Sequence, residues 1–124
     1  MSDAGTEQPL ATEAVLTGAA ERDRVLSTLR AHGGELRRRG LARLRLFGSV
    51  ARGEANLASD VDLIAEIDRG RVKRFSLLDL AGLELDLAEL LGREVRIVTA
   101  PDALHPRIRR NAEADALEVL DGVS

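Results

Sequence analysis

The chain has no cysteine, no tryptophan and no tyrosine, and only two phenylalanines among its 124 residues. Without cysteine there can be neither disulfides nor thiolate metal ligands, which is compatible with the reducing cytoplasm, the location we expect. With so few aromatic rings, stacking on a nucleobase is limited, and its recognition would have to be loose or use aliphatic side chains. Positive charge is not in surplus either: 18 Lys and Arg against 21 Asp and Glu leave a net charge of -3. A dedicated DNA- or RNA-binding surface is normally strongly basic, so nucleic acid is not the expected partner. The opening residues MSDAGTEQPL are polar and have no apolar centre, so neither a signal peptide nor a membrane span is expected there. The length suits one domain with one core and leaves no room for a second, substrate-holding domain.

Taken in order, residues 1–11 read as a disordered tail and 12–124 as a single domain. Residues 11–20 have some helical character, interrupted at Gly18. A firmer helix is expected over 22–39, with Val25, Leu26, Leu29 and Leu36 at helical spacing. Its Gly33-Gly34 pair costs roughly 2 kcal/mol relative to alanines, enough to kink or break it. Arg37, Arg38 and Arg39 before Gly40 suit a helix C-terminus, with cations against the dipole and glycine as the cap. Leu41 to Phe47 alternates leucine with arginine, a strand with one wet face. Ser76 to Leu91 is the most apolar helix, with Ser76 and Asp79 placed as a capping box. Its leucines, Leu77, Leu80, Leu87 and Leu91 on one stripe and Leu78, Leu83, Leu85 and Leu90 beyond it, cover more than one sheet face can bury. A strand over 94–99 and a helix over 107–120 complete the expected elements.

The informative stretch is LRLFGSVARGEANLASDVDLIAEI, from Leu44 to Ile67. Asp60 and Asp62 are one residue apart, so on a strand both project from the same face. Two carboxylates so close need a counter-charge, and a hard oxygen-seeking cation such as Mg²⁺ fits, since it is usually held by one or two carboxylates plus waters and substrate phosphates. Asp62 also lies in an apolar run, an expensive place for an unpaired charge. Upstream, Gly48-Ser49 opens a short helical turn after an apolar strand. Amides at a helix start bind phosphate, and glycine lets a ligand approach the main chain. Ser49 adds a hydroxyl and Arg52 a charge. Phosphate cradle and carboxylates on two joined strands suit a nucleoside triphosphate held through its phosphates by Mg²⁺, the expected cofactor.

Gly48-Ser49, ten residues, then Asp60-Val61-Asp62 resembles the signature of the DNA polymerase β-like nucleotidyltransferases, and GSVARG followed by SDVDL is similar to their minimal members, the MNT proteins. The resemblance covers roughly residues 22–120. It implies an α/β (α+β) fold, a small mixed sheet with flanking helices like the polymerase β palm. It also implies Mg²⁺-dependent nucleotide transfer and, for many stand-alone members, service as the antitoxin of a helical HEPN-domain toxin in a toxin–antitoxin system. Larger relatives carry extra helical domains for the acceptor; here a partner would have to bring it. One position departs from the pattern. Members with a full site carry a third carboxylate on a later strand, after a Gly-Arg turn; this chain reads Gly92-Arg93-Glu94-Val95-Arg96, with Arg96 where that aspartate is expected. An arginine has no acceptor and stays protonated, so it can neither ligate a metal nor act as a base.

Two readings follow. In the first, the chain is a protein adenylyltransferase that moves AMP from ATP to a hydroxyl, by analogy a tyrosine of a HEPN toxin, with Asp60 and Asp62 as catalytic metal ligands and Gly48, Ser49 and Arg52 on the phosphates. In the second, Arg96 pairs with one of the aspartates, catalysis is lost, and the fold neutralises its toxin by binding alone.

Overall fold

The computed structural model describes residues 10–56, 59–70, 74–99 and 106–121. Helix α1 (Leu10–Ala31) and helix α2 (Gly33–Arg38) stand where one helix over 22–39 was expected. The break falls at His32, directly before the two glycines that open α2, whose low helix propensity favours an interruption there. Leu10 and Ala11 are helical and α1 runs through Gly18 without interruption; residues 1–9 of the expected tail lie outside the described ones. Gly40, at φ +109, closes α2 as anticipated.

The remaining elements are β1 (Leu41–Phe47), α3 (Gly48–Ala51), β2 (Val61–Ile67), α4 (Leu77–Leu91), β3 (Val95–Val98), α5 (Pro106–Asp115) and β4 (Leu117–Asp121). The four strands form one mixed sheet in the order β3-β2-β1-β4. β1 runs antiparallel to β2 and to β4, and β3 is parallel to β2, the crossover being α4. The helix expected over 107–120 is therefore corrected. It stops at Asp115, and Leu117–Asp121 pairs with β1 instead. A register shift in this pairing lets Leu120 reach the core while Glu118 meets Arg43 on the other face, and pairing with an existing edge decides between two weak local preferences.

Period two sorts the sheet into a dry face and a charged one. Leu44 and Leu46 of β1, Val61, Leu63 and Ala65 of β2, Ile97 of β3 and Leu120 of β4 share one apolar core with Val25, Leu26 and Leu29 of α1, Leu36 of α2, and Leu83, Leu87 and Leu91 of α4. The opposite face carries Asp62, Ile64 and Glu66 of β2, flanked by Arg43 of β1, which pairs with Glu66 at 3.6 Å and with Glu118 of β4 at 2.5 Å. Such exposed pairs are worth at most about 1 kcal/mol each.

Helix α4 has the capping box anticipated for it: the Asp79 amide donates to Ser76 Oγ at 3.2 Å and the Ser76 amide to the Asp79 carboxylate at 2.9 Å. Its buried stripe is Leu83, Leu87 and Leu91, not one that includes Leu77; Leu77, Leu78 and Leu85 are exposed. Gly92, at φ +70, ends it and turns the chain into β3.

Candidate active site

The site forms where three adjacent pieces of chain end together: the β1–α3 turn, the start of β2 and the middle of β3. Strand register sets it, since Phe47 lies opposite Asp62 on one side and Arg96 lies opposite Asp62 on the other. Gly48, the residue after Phe47, adopts φ +81, open to glycine at little cost. A Cβ there would come within 2.6 Å of Asp62 Oδ2. The carboxylate of Asp62 thus rests against the main chain of the Gly48-Ser49 turn, and any larger residue at 48 would displace it. The first amides of a helical turn have no intrahelical acceptor, and α3 begins at Gly48 beside the Asp62 carboxylate.

Asp60 immediately precedes β2, and both Asp60 and Asp62 are half-buried. Burial pushes the Asp62 carboxyl up from its usual range; Arg96 opposes that shift, the Asp60 charge adds to it, and Arg52 opposes it. A carboxylate that is desolvated and next to a second one is stabilised by a cation, which is the condition of a metal ligand. Among the described residues no group of three or more metal-ligating side chains occurs. Two carboxylates suffice for Mg²⁺ when substrate phosphates complete its shell, so these residues fit that ion.

Arg96 fills the remaining position. Its Nη2 donates to Asp60 Oδ2 at 3.0 Å, and its side chain is 71% exposed. The geometry that would put a third carboxylate beside the other two puts a guanidinium there. Arg52 is less free than its place in the sequence suggested: its Nε donates to Glu54 at 2.9 Å and its Nη1 to Asp115 of α5 at 2.9 Å. Those acceptors hold it at the rim, from where its charge still reaches Asp62. Ser49 is half-buried at the head of α3. Gly48, Ser49, Asp60, Asp62 and Arg96 are therefore brought together, with Arg52 at the edge.

Sequence reasoning did not find Arg93 or Glu21. Arg93 donates through Nη1 to the carbonyls of Asn56 and Ser59, each at 2.8 Å, and through Nε to Glu21. Its only local signal was the Gly-Arg turn before β3; its partners lie far away in the chain.

The nucleotidyltransferase domain family matches residues 29–119 of this chain. A Methanocaldococcus jannaschii protein provisionally named a protein adenylyltransferase is 38% identical over 85 residues, which are 68% of this chain and 86% of that protein. The protein adenylyltransferase MntA of Thermococcus cleftensis is 40% identical over 77 residues, 61% of this chain and 74% of that protein. Among solved structures, one described as a minimal nucleotidyltransferase superposes with a TM-score of 0.55 at 42% identity, covering 83% of this chain and 93% of its own. A toxin–antitoxin crystal structure with AMP-PNP superposes with a TM-score of 0.53 at 18% identity, over 66% of this chain and 62% of its own, and shares the fold.

Proposed function

This chain belongs to the nucleotidyltransferase domain family, and from that premise we propose that it transfers AMP from ATP to a hydroxyl on a partner protein, acting as the antitoxin of a toxin–antitoxin pair. The acceptor we favour is a tyrosine of a HEPN-domain toxin. The observation that carries the reading is the Asp62 carboxylate seated against the Gly48 turn with Asp60 beside it, since this joins a phosphate-binding turn to a metal-binding pair. The names of the relatives as protein adenylyltransferases support a protein acceptor, and the toxin–antitoxin neighbour supports the pairing with a toxin.

In the reaction, the acceptor oxygen bonds to the α-phosphorus, the bond from that phosphorus to the bridging oxygen of pyrophosphate breaks, and the hydroxyl proton passes to solvent or to a base on the partner. Asp60 and Asp62 would hold Mg²⁺, which supplies charge neutralisation to the triphosphate and to the departing pyrophosphate. Gly48 and Ser49 cradle the β- and γ-phosphates, and Arg52 neutralises charge at the rim. Transfer of this kind depends mainly on positioning and electrostatic stabilisation. A site with two carboxylates and an arginine therefore works, more slowly than one with three.

The Arg96–Asp60 pair favours a second reading, in which the arginine has displaced the metal and only toxin binding remains. Label transfer from α-labelled ATP with Mg²⁺ to a helical partner encoded beside this chain separates the two. We expect label with the natural chain, none with Asp62→Ala, and faster transfer with Arg96→Asp. Label appearing only with Arg96→Asp would establish the second reading and overturn the first.

A further inference from the structure

Arg93 lies in the turn before β3 and Arg96 on β3 itself, and the Arg93 side chain is only 10% exposed. A buried guanidinium has five donors to satisfy and a charge to balance. The two carbonyls of Asn56 and Ser59 take Nη1, and Glu21, itself only 11% exposed, takes Nε. Glu21 is in turn gripped by Arg24 at 2.8 and 2.6 Å, and Arg24 donates to the Leu91 carbonyl at 2.8 Å. One network thus joins α1, the end of α4, the turn into β3 and the segment leading to Asp60.

The residues on either side of Asp60 are both tied to that turn. The Ser59 carbonyl accepts from Arg93, and the Val61 amide donates to the Glu94 carbonyl at 2.9 Å. The segment before Asp60 is closed on itself as well: the Asn56 amide donates to Ser59 Oγ at 2.9 Å and the Ser59 amide to the Asn56 carbonyl at 3.1 Å. Asp60 is therefore bracketed by residues 93 and 94. Helix α1 also touches the other half of the site. A Cβ on Gly18 would lie 2.3 Å from the carbonyl oxygen of Gly53, in the turn that follows α3. Both Gly18 and Glu21 precede residue 29, where the family match begins.

We infer that Arg93, anchored by Glu21 of α1, is a positioning residue that holds the Asp60-bearing segment in place for Mg·ATP, so that the N-terminal helix braces the site from outside the matched domain. This rests on the proposed function for what Asp60 binds. The clamp itself is a property of the free protein and is read separately.

Amide hydrogen exchange on the full chain without nucleotide, together with calorimetric Mg·ATP titration, tests it. In Arg93→Gln, exchange at Val61 and its neighbours should rise at least about tenfold while β1 and β4 keep their protection, and Mg·ATP affinity should fall roughly 10- to 100-fold, as when a metal ligand loses its supporting partner. Arg93→Lys, which keeps the charge but not the forked geometry, should recover part of both. A folded Arg93→Gln with wild-type exchange and wild-type affinity would overturn the inference. Should that variant not fold, Glu21→Gln decides: exchange raised selectively around Val61 supports the clamp, and unchanged or sheet-wide exchange overturns it. If the natural chain fails to bind Mg·ATP, the proposed function falls, and the exchange pattern alone decides the clamp.

Discussion

Two arginines three residues apart, Arg93 in the turn before β3 and Arg96 on the strand, both contact the segment that carries Asp60 and have opposite characters. Arg93 is largely buried and makes hydrogen bonds to two carbonyls and a buried carboxylate. Arg96 is 71% exposed and makes a single 3.0 Å contact with Asp60. Removing one member of a buried pair leaves an uncompensated charge and is expensive, whereas an exposed pair gains little beyond what water already supplies. The difference teaches which arginine belongs to the architecture and which can yield to a ligand. Arg93 sets where Asp60 is. Arg96 is a counter-ion that a triphosphate or a cation can displace.

The contrast is broken most forcefully at Arg93. Arg93→Ala should lower stability by about 2–3 kcal/mol, because two carbonyls lose a charged donor and Glu21, still held by Arg24, loses its second partner; urea unfolding reads this directly. Gly18→Ala should cost about 1–3 kcal/mol, since its methyl group meets backbone at Gly53 rather than a side chain that can swing away. Both the loss and its location can be checked by thermal unfolding and by exchange at the Gly53 turn.

A pH series sharpens the same comparison. The hydrogen bond from Arg24 holds the Glu21 carboxyl at about 2, below its usual 4.5, against burial that pushes it up, with Arg93 adding to the depression. A carboxyl whose folded value is depressed contributes stability that is complete above its unfolded value and is lost as pH falls through the folded one. The natural chain should therefore be more stable than Glu21→Gln at neutral pH. Its advantage should shrink between pH 4.5 and about 2. The smallest effect is at Arg96: Arg96→Ala should change stability by less than about 1 kcal/mol in the same unfolding assay.

The Gly48-Ser49 turn and the Asp60/Asp62 pair were readable in the sequence because their signals are local. Gly48-Ser49 needs only a positive φ after a strand, and Asp60 and Asp62 need only the two-residue period. The Ser76–Asp79 box and the substitution at Arg96 were legible for the same reason. What was missed depends on distant partners. Glu21 and Arg93 meet only after the sheet has formed, and no periodicity marks them. β4 looked like the end of a helix because Ile108, Ala112, Ala116 and Leu120 fall four apart, while the edge of β1 that claims Leu117–Asp121 is more than seventy residues away. The wide leucine surface of α4 was noticed, but its buried stripe was misassigned at Leu77, because the tilt of a helix on a sheet is set by packing rather than by its own sequence.

Calorimetric titration of the natural chain, Asp62→Asn and Arg96→Asp with ATP, with and without Mg²⁺, tests the central claim most directly. The account predicts Mg²⁺-dependent binding by the natural chain, loss of the Mg²⁺ dependence in Asp62→Asn, and tighter Mg·ATP binding in Arg96→Asp. Equal affinity in the natural chain and Asp62→Asn, or binding indifferent to Mg²⁺ in all three, would contradict the assignment of Asp60 and Asp62 as the metal-binding pair.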